Sequence, residues 1–148
     1  MEVTGEHKFD GPRSLVYQLM LEPAAIRASI PGCEAFTDKG EESYDLTIKV
    51  GMAAIKGTYS GNVKVRDQNL DESYRLLVSG SGKPGSVQGD AKMTLIDFEG
   101  GTLVKYHGEV KAQGAIARLG SRLLGGAAKL MIGQFMKGME KQVENRVA

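Results

Sequence analysis

The chain has 148 residues with 19 basic and 18 acidic side chains, so its formal net charge is only +1. This balance excludes the strong overall positive field of a general nucleic-acid-binding protein. The single cysteine excludes an internal disulfide and a multi-cysteine metal site, and no apolar run reaches the ~18 residues of a membrane span. A polar N-terminus predicts no secretory signal, so we expect one cytosolic domain over residues 1–148.

The first elements predicted along the chain are a strand and two short helices. The strand is predicted by four residues that alternate onto one face: Val3, Gly5, His7 and Phe9. Helical spacing from Leu15 to Met20, just after Pro12, predicts the first short helix. Pro23 opens the second, which ends at Pro31-Gly32.

Residues 43–113 predict five further strands, because apolar or glycine positions alternate with polar ones between short turns. The alternating positions run over 44–50, 59–65, 74–80, 87–95 and 104–112. This pattern indicates an antiparallel sheet with one dry face. The segment 115–147 is long enough to cover that face as one amphipathic helix. Its inward arc is predicted to comprise Ile116, Leu119, Leu123, Leu124, Ala127, Leu130, Met131 and Phe135.

These elements predict an α+β fold in which a curved antiparallel sheet wraps one long C-terminal helix. Small or polar residues occupy inward positions on both layers: Gly61, Gly80, Gly89, Ala91 and Gly108 on the strands, and Gly120, Ala127, Gln134 and Gly138 on the helix. Such residues either let backbones approach closely or leave space, and we expect an apolar ligand cavity. A cavity below about 300 Å³ would make ligand carriage untenable. The candidate lining residues are Met20, Ile30, Ile48, Tyr59, Val63, Leu76, Met93, Tyr106, Gly120, Leu124, Met131 and Phe135.

Motifs spread over nearly the whole chain match one known family. They are Gly5 and Phe9; Pro12; Glu22-Pro23; Ser29-Ile30-Pro31-Gly32-Cys33-Glu34; Gly57 and Gly61; Gly80-Ser81-Gly82 with Gly85 and Gly89; Gln113-Gly114; Arg118-Leu119-Gly120-Ser121-Arg122-Leu123-Leu124; and Phe135. Together they resemble the family of the G subunit of carbon monoxide dehydrogenase. That family belongs to the START-like, helix-grip (polyketide cyclase-like) superfamily of hydrophobic-ligand binders.

The resemblance implies a helix-grip fold and an accessory role beside a carbon monoxide dehydrogenase-type molybdenum hydroxylase. It further implies binding of a quinone or lipid and peripheral recruitment to the inner face of the membrane. Arg118, Arg122 and Lys129 are candidates for a membrane or partner surface, although a solvated helix face is the default interpretation. No cofactor, catalytic residue or nucleic-acid partner is expected.

Two other functions stay open. One is a protein-docking or maturation factor whose cavity carries no ligand. The other is an enzyme acting on a hydrophobic substrate through His7, Tyr59 or Tyr106. A half-buried, hydrogen-bonded strand residue is the simpler interpretation of His7, and a packed thiol is that of Cys33, for which no base is predicted nearby.

Two weaker motifs favour structural interpretations. The glycine spacing in residues 80–85 matches a dinucleotide-binding loop, but a true one opens a helix. Here a strand is predicted to follow, so we interpret the glycines as a hairpin. Two histidines and one cysteine offer no convincing zinc site, because zinc needs three or four converging ligands.

Overall fold

Seven strands form one antiparallel sheet in the computed structural model, which describes residues 1–147. They are β1 (Glu2–Phe9), β2 (Cys33–Gly40), β3 (Ser43–Val50), β4 (Gly57–Asn69), β5 (Ser73–Gly82), β6 (Gly85–Phe98) and β7 (Gly101–Gln113). The order across the sheet is β1-β7-β6-β5-β4-β3-β2, so β1 and β2 are the edges. Only the β1–β7 pairing joins strands that are distant in the chain.

Three α-helices complete the fold: α1 (Arg13–Met20), α2 (Pro23–Ser29) and α3 (Ser121–Val147). As predicted, α1 and α2 follow β1 in the chain and precede the other strands, and each begins beside a proline. α3 packs most closely on β1, α1 and α2. The predicted helix-grip architecture is confirmed.

β2 is the one strand that the alternation pattern did not predict. It pairs only with β3, and most of its residues are exposed. Phe36 is its one large apolar side chain, and it stacks on Tyr44 with ring centroids 5.2 Å apart. An edge strand of this kind buries too few side chains to show the alternation by which the other strands are recognised.

The predicted start of the long helix at Ala115 is wrong. Ala115–Leu119 is a 3₁₀ turn, and α3 begins only at Ser121. Gly114 and Gly120 on either side of the turn have φ of +84° and +85°, left-handed values that an α-helix cannot continue through. Gly120 therefore lies before α3 and not on its inward face, and Arg118 lies in the turn.

The predicted inward arc of α3 is also partly wrong. Leu123 and Leu130 are 48% and 51% exposed, whereas Met136, Met139 and Val143 are almost completely buried. The reason is tertiary: α1, α2 and β1 cover the C-terminal half of α3, while its N-terminal half projects past them. Helical periodicity places side chains around an axis but does not reveal which neighbours cover each part of it.

Tyr17 of α1 makes a buried hydrogen bond whose loss should be measurable. Its hydroxyl donates to the carbonyl of Ser73 at 3.0 Å. We expect Tyr17→Phe to lower the free energy of unfolding by about 1–2 kcal/mol, because the buried carbonyl loses a donor. Tyr44→Phe is the matched control, since within residues 1–147 the hydroxyl of buried Tyr44 has no hydrogen-bond partner. Equal losses in urea denaturation would contradict this assignment.

Candidate functional site

The interior contains two apolar clusters that differ in how completely they are packed. The larger surrounds the C-terminal half of α3 and includes the fully buried Phe9 and Leu19. The smaller surrounds Val50, Ile55 and Ile116, under the N-terminal half of α3. A cavity lies within this second cluster, so the two ends of the helix meet the sheet differently.

The apolar cavity has a volume of about 220 Å³. Its lining residues are Met1, Leu46, Ile48, Val50, Ile55, Tyr59, Ser60, Gly61, Val63, Val78, Ser79, Gly80, Val87, Val110, Ala112, Ile116, Leu124, Ala127, Ala128 and Met131. None of these described residues has a charged side chain. Tyr59 is the only lining side chain with a polar group on the inner face, and its hydroxyl donates to the carbonyl of Ile55 at 2.6 Å. The two serines are exposed, with side chains that alternate to the outer face.

The cavity alone is smaller than the limit of about 300 Å³ that ligand carriage requires. A volume of 220 Å³ is below the roughly 300–1,000 Å³ of pockets that hold drug-sized ligands. An engineered apolar cavity of ~150 Å³ holds benzene. The cavity therefore accommodates one ring or a short hydrocarbon segment, and a whole quinone or lipid would have to extend beyond it.

The candidate lining residues divide into three groups. Five of them line the cavity: Ile48, Tyr59, Val63, Leu124 and Met131. Six others belong to or pack against the larger cluster instead: Met20, Ile30, Leu76, Met93, Tyr106 and Phe135. Gly120 is exposed, and a Cβ there would meet nothing within 4 Å.

The inward glycines also have different roles. A Cβ at Gly80, which lines the cavity, would meet no atom closer than 3.8 Å. At Gly61 it would collide with the backbone of Ser79, and at Gly138 it would lie 2.9 Å from the Cα of Ser29. Gly80 thus leaves space, whereas Gly61 and Gly138 allow close backbone contacts.

Several lining residues were not predicted from the sequence, although a signal for some of them exists. Val87, Val110 and Ala112 point to the same face as the candidate residues on their own strands, because they follow the same alternation. Ile55 carried no signal, because it lies in the 3₁₀ turn Ala53–Ile55 between β3 and β4.

An open apolar groove of about 680 Å³ lies beside the cavity and is separated from it by a shared wall. It is lined by Met52, Ala53, Ala54, Ile55, Leu119, Arg122, Leu123, Gly126, Ala127 and Leu130. Ile55 and Ala127 line both spaces and so form the wall between them. The exposed Leu123 and Leu130 therefore belong to this groove and not to the core.

Positive charge surrounds the groove. Residues 115–131 include three lysines and arginines and no acid, and residues 51–57 include one lysine and no acid. Lys56, Arg118, Arg122 and Lys129 are exposed, and none forms an ion pair within the described chain. Arg122 and Lys129 are seven residues apart and share one face of α3.

The candidate catalytic groups do not converge on the cavity. His7 Nε2 is buried, lies 3.7 Å from a carboxylate oxygen of Glu140 and lacks a hydrogen-bond partner within residues 1–147, so the expected hydrogen bond is not formed at that atom. Tyr106 lies over Gly5 in the larger cluster. Burial raises the pKa of Tyr59 and of Tyr106, which keeps both hydroxyls protonated at neutral pH.

The remaining motifs occupy structural positions. The thiol of Cys33 donates to the carbonyl of Ala35 at 3.3 Å on edge strand β2, away from the cavity lining. Gly82 pairs with Gly85 across a two-residue turn, which confirms the hairpin interpretation. Over residues 1–147, no three His, Cys, Asp or Glu side chains cluster as metal ligands, and no helix combines the length and hydropathy of a membrane span.

Comparison with known proteins identifies the family. The profile of the G subunit of carbon monoxide dehydrogenase (CoxG) matches residues 5–144. A conserved protein from Geobacillus kaustophilus is 30% identical, with 98% of this chain and 96% of that chain covered and a TM-score of 0.94. A START superfamily protein from Mycobacterium smegmatis has the same fold at 9% identity, with 97% of each chain covered and a TM-score of 0.77. A search of curated proteins finds no match.

The family profile covers nearly the whole chain. The matched range includes most of β1, most of α3 and the cavity-lining residues from Leu46 to Met131. All the motifs on which the resemblance rests, from Gly5 to Phe135, lie inside the matched range. The chain belongs to the CoxG family, that of the carbon monoxide dehydrogenase G subunit.

Proposed function

We propose that the chain binds an apolar ligand, a quinone or a lipid, as an accessory protein of a carbon monoxide dehydrogenase-type molybdenum hydroxylase. The observation that carries this proposal is the uncharged cavity between α3 and the inner face of the sheet. Ligand pockets are concave, mostly apolar and contain few polar groups. The family to which the chain belongs supports the choice of partner.

We further propose peripheral contact with an anionic membrane at the end of the molecule that contains the groove. Exposed leucines surrounded by unpaired cations are typical of surfaces that bind the membrane interface. Each cation near an anionic bilayer contributes about 1 kcal/mol of attraction. An apolar ligand would then enter the protein directly from the lipid phase.

The decisive test is ligand occupancy. We expect native mass spectrometry of the protein, purified from its own organism, to show an added mass that lipid extraction then identifies. Ala128→Phe should abolish the added mass, because Ala128 lines only the cavity and a phenyl ring would occupy much of its 220 Å³. Ala28→Phe, on the exposed face of α2, is the matched control. An unliganded wild-type protein would refute ligand carriage.

A second candidate function is a docking or maturation factor that carries no ligand, and the small volume of the cavity favours it. The two functions predict different results when a mutation fills the cavity. If Ala128→Phe removes the ligand and leaves binding to the purified oxidase unchanged, docking is independent of carriage. If the wild-type protein binds the oxidase but never contains a ligand, docking alone is the function.

A further inference from the structure

Three residues of the family motif Arg118–Leu124, namely Leu119, Arg122 and Leu123, line the groove and not the cavity. We propose that the ligand spans both spaces: a hydrocarbon segment occupies the cavity, and an oxygen-bearing head group lies in the groove, where Arg122 donates hydrogen bonds to it. This inference rests on the proposed function, because it assigns the two parts of that ligand to two parts of one site.

The first argument is the lack of hydrogen-bond donors in the cavity. The hydroxyl of Tyr59 is already bonded to the carbonyl of Ile55, and the ammonium of Met1 to Glu109 and to the carbonyl of Val110. No other lining side chain of the described residues directs a donor inward. A carbonyl, carboxylate or phosphate placed there would lose its hydrogen bonds to water without replacement. The cavity therefore selects the hydrocarbon part of an amphiphile and excludes its head.

The second argument is the position of Arg122. It is the only charged residue that lines the groove, and it forms no ion pair or hydrogen bond with any residue in 1–147. The nearest acids along the chain in either direction are Glu109 and Glu140. A guanidinium group presents several donors in one plane, which suits quinone carbonyls as well as carboxylate or phosphate oxygens.

The third argument is that the two spaces share a wall. Ile55 is 7% exposed and, with Ala127, separates the cavity from the groove. A ligand that occupies both must displace the side chain of Ile55. Ile55 lies in the short segment between β3 and β4, where Ala53 and Ala54 are exposed and a Cβ at Gly51 would meet nothing within 4 Å.

Direct binding measurements without vesicles test this inference. Isothermal titration calorimetry would use three probes below their critical micelle concentrations: myristate, tetradecyltrimethylammonium, and a naphthoquinone with a two-isoprene tail. The first two share a tail and differ in whether the head accepts hydrogen bonds. The variants are Arg122→Gln, Ala128→Phe and, as matched control, Arg27→Gln, which is exposed on α2 and outside the groove lining.

We expect Arg122→Gln to weaken myristate, the quinone or both by about tenfold, consistent with loss of a hydrogen bond to a charged group. Whichever of these two probes binds Arg122→Gln more weakly than wild type identifies the kind of head group that Arg122 contacts. Tetradecyltrimethylammonium should bind Arg122→Gln as well as or better than wild type. Ala128→Phe should weaken every probe that binds, and Arg27→Gln none.

Two results would overturn the inference, and they differ in meaning. If all three probes bind Arg122→Gln and Arg27→Gln equally, the two-part site is wrong and ligand carriage stands. If no probe binds the wild type, both the inference and the proposed function fail. Equal melting temperatures of the variants and the wild type exclude misfolding as the cause of a loss.

Discussion

A Gly138→Ala variant is expected to lose about 1–2 kcal/mol of unfolding free energy, although alanine is the better helix former. The added Cβ would lie 2.9 Å from the Cα of Ser29 and 3.1 Å from its Cβ. Because most of the opposing atoms belong to the backbone of α2, the two helices must separate to relieve the clash. The separation would disturb the packing of Met139, which is completely buried.

Gly133→Ala in the same helix provides the matched control. A Cβ at Gly133 would meet nothing within 4 Å, so this change should stabilise the protein by about 0.5–1 kcal/mol through helix propensity alone. Chemical denaturation of the two variants should therefore give shifts of opposite sign. Two stabilising shifts would show that α2 and α3 are not in close backbone contact at Ser29.

The second large effect is expected in membrane binding. Combined replacement of Arg118, Arg122 and Lys129 by glutamine should weaken partitioning onto phosphatidylglycerol-containing vesicles about a hundredfold, given about 1 kcal/mol per cation. Vesicle co-sedimentation measures this directly. Salt at 1 M should reduce wild-type binding similarly, because the Debye length falls to about 3 Å.

The control for this triple variant removes the same charge from another surface. Lys64, Lys92 and Lys105 are exposed on the outer face of the sheet, away from the groove. Their replacement by glutamine should leave vesicle binding within a few-fold of wild type. Equal losses in the two triple variants would show that net charge, and not the basic surface around the groove, determines binding.

The strands could be predicted from sequence because their inner residues alternate with polar ones over long stretches. Tyr44, Leu46 and Val50, for example, are buried as the pattern predicts. The edge strand β2 could not be predicted in this way, since one of its faces contributes only Phe36 to the interior. Short-range alternation reports burial, and a strand that buries little gives little signal.

The site was harder to predict than the fold. The strand residues Ile48, Tyr59 and Val63 lie in the cavity lining, under the N-terminal half of α3. Met93 and Phe135 do not, because they pack in the larger cluster instead. Which end of an inner face is filled depends on where α1 and α2 cover it, and that is a property of tertiary structure.

The pairing of β1 with β7 affects how the protein is made. Glu2 registers with Glu109, so the first strand to leave the ribosome has no partner until most of the chain has been synthesised. α3, which completes the cavity, follows later still. Non-local pairings of this kind slow folding, and all-β topologies dominated by them fold in milliseconds to seconds. The sheet therefore cannot be completed before β7 has been synthesised, and until α3 covers it the inner face of the sheet is exposed to aggregation.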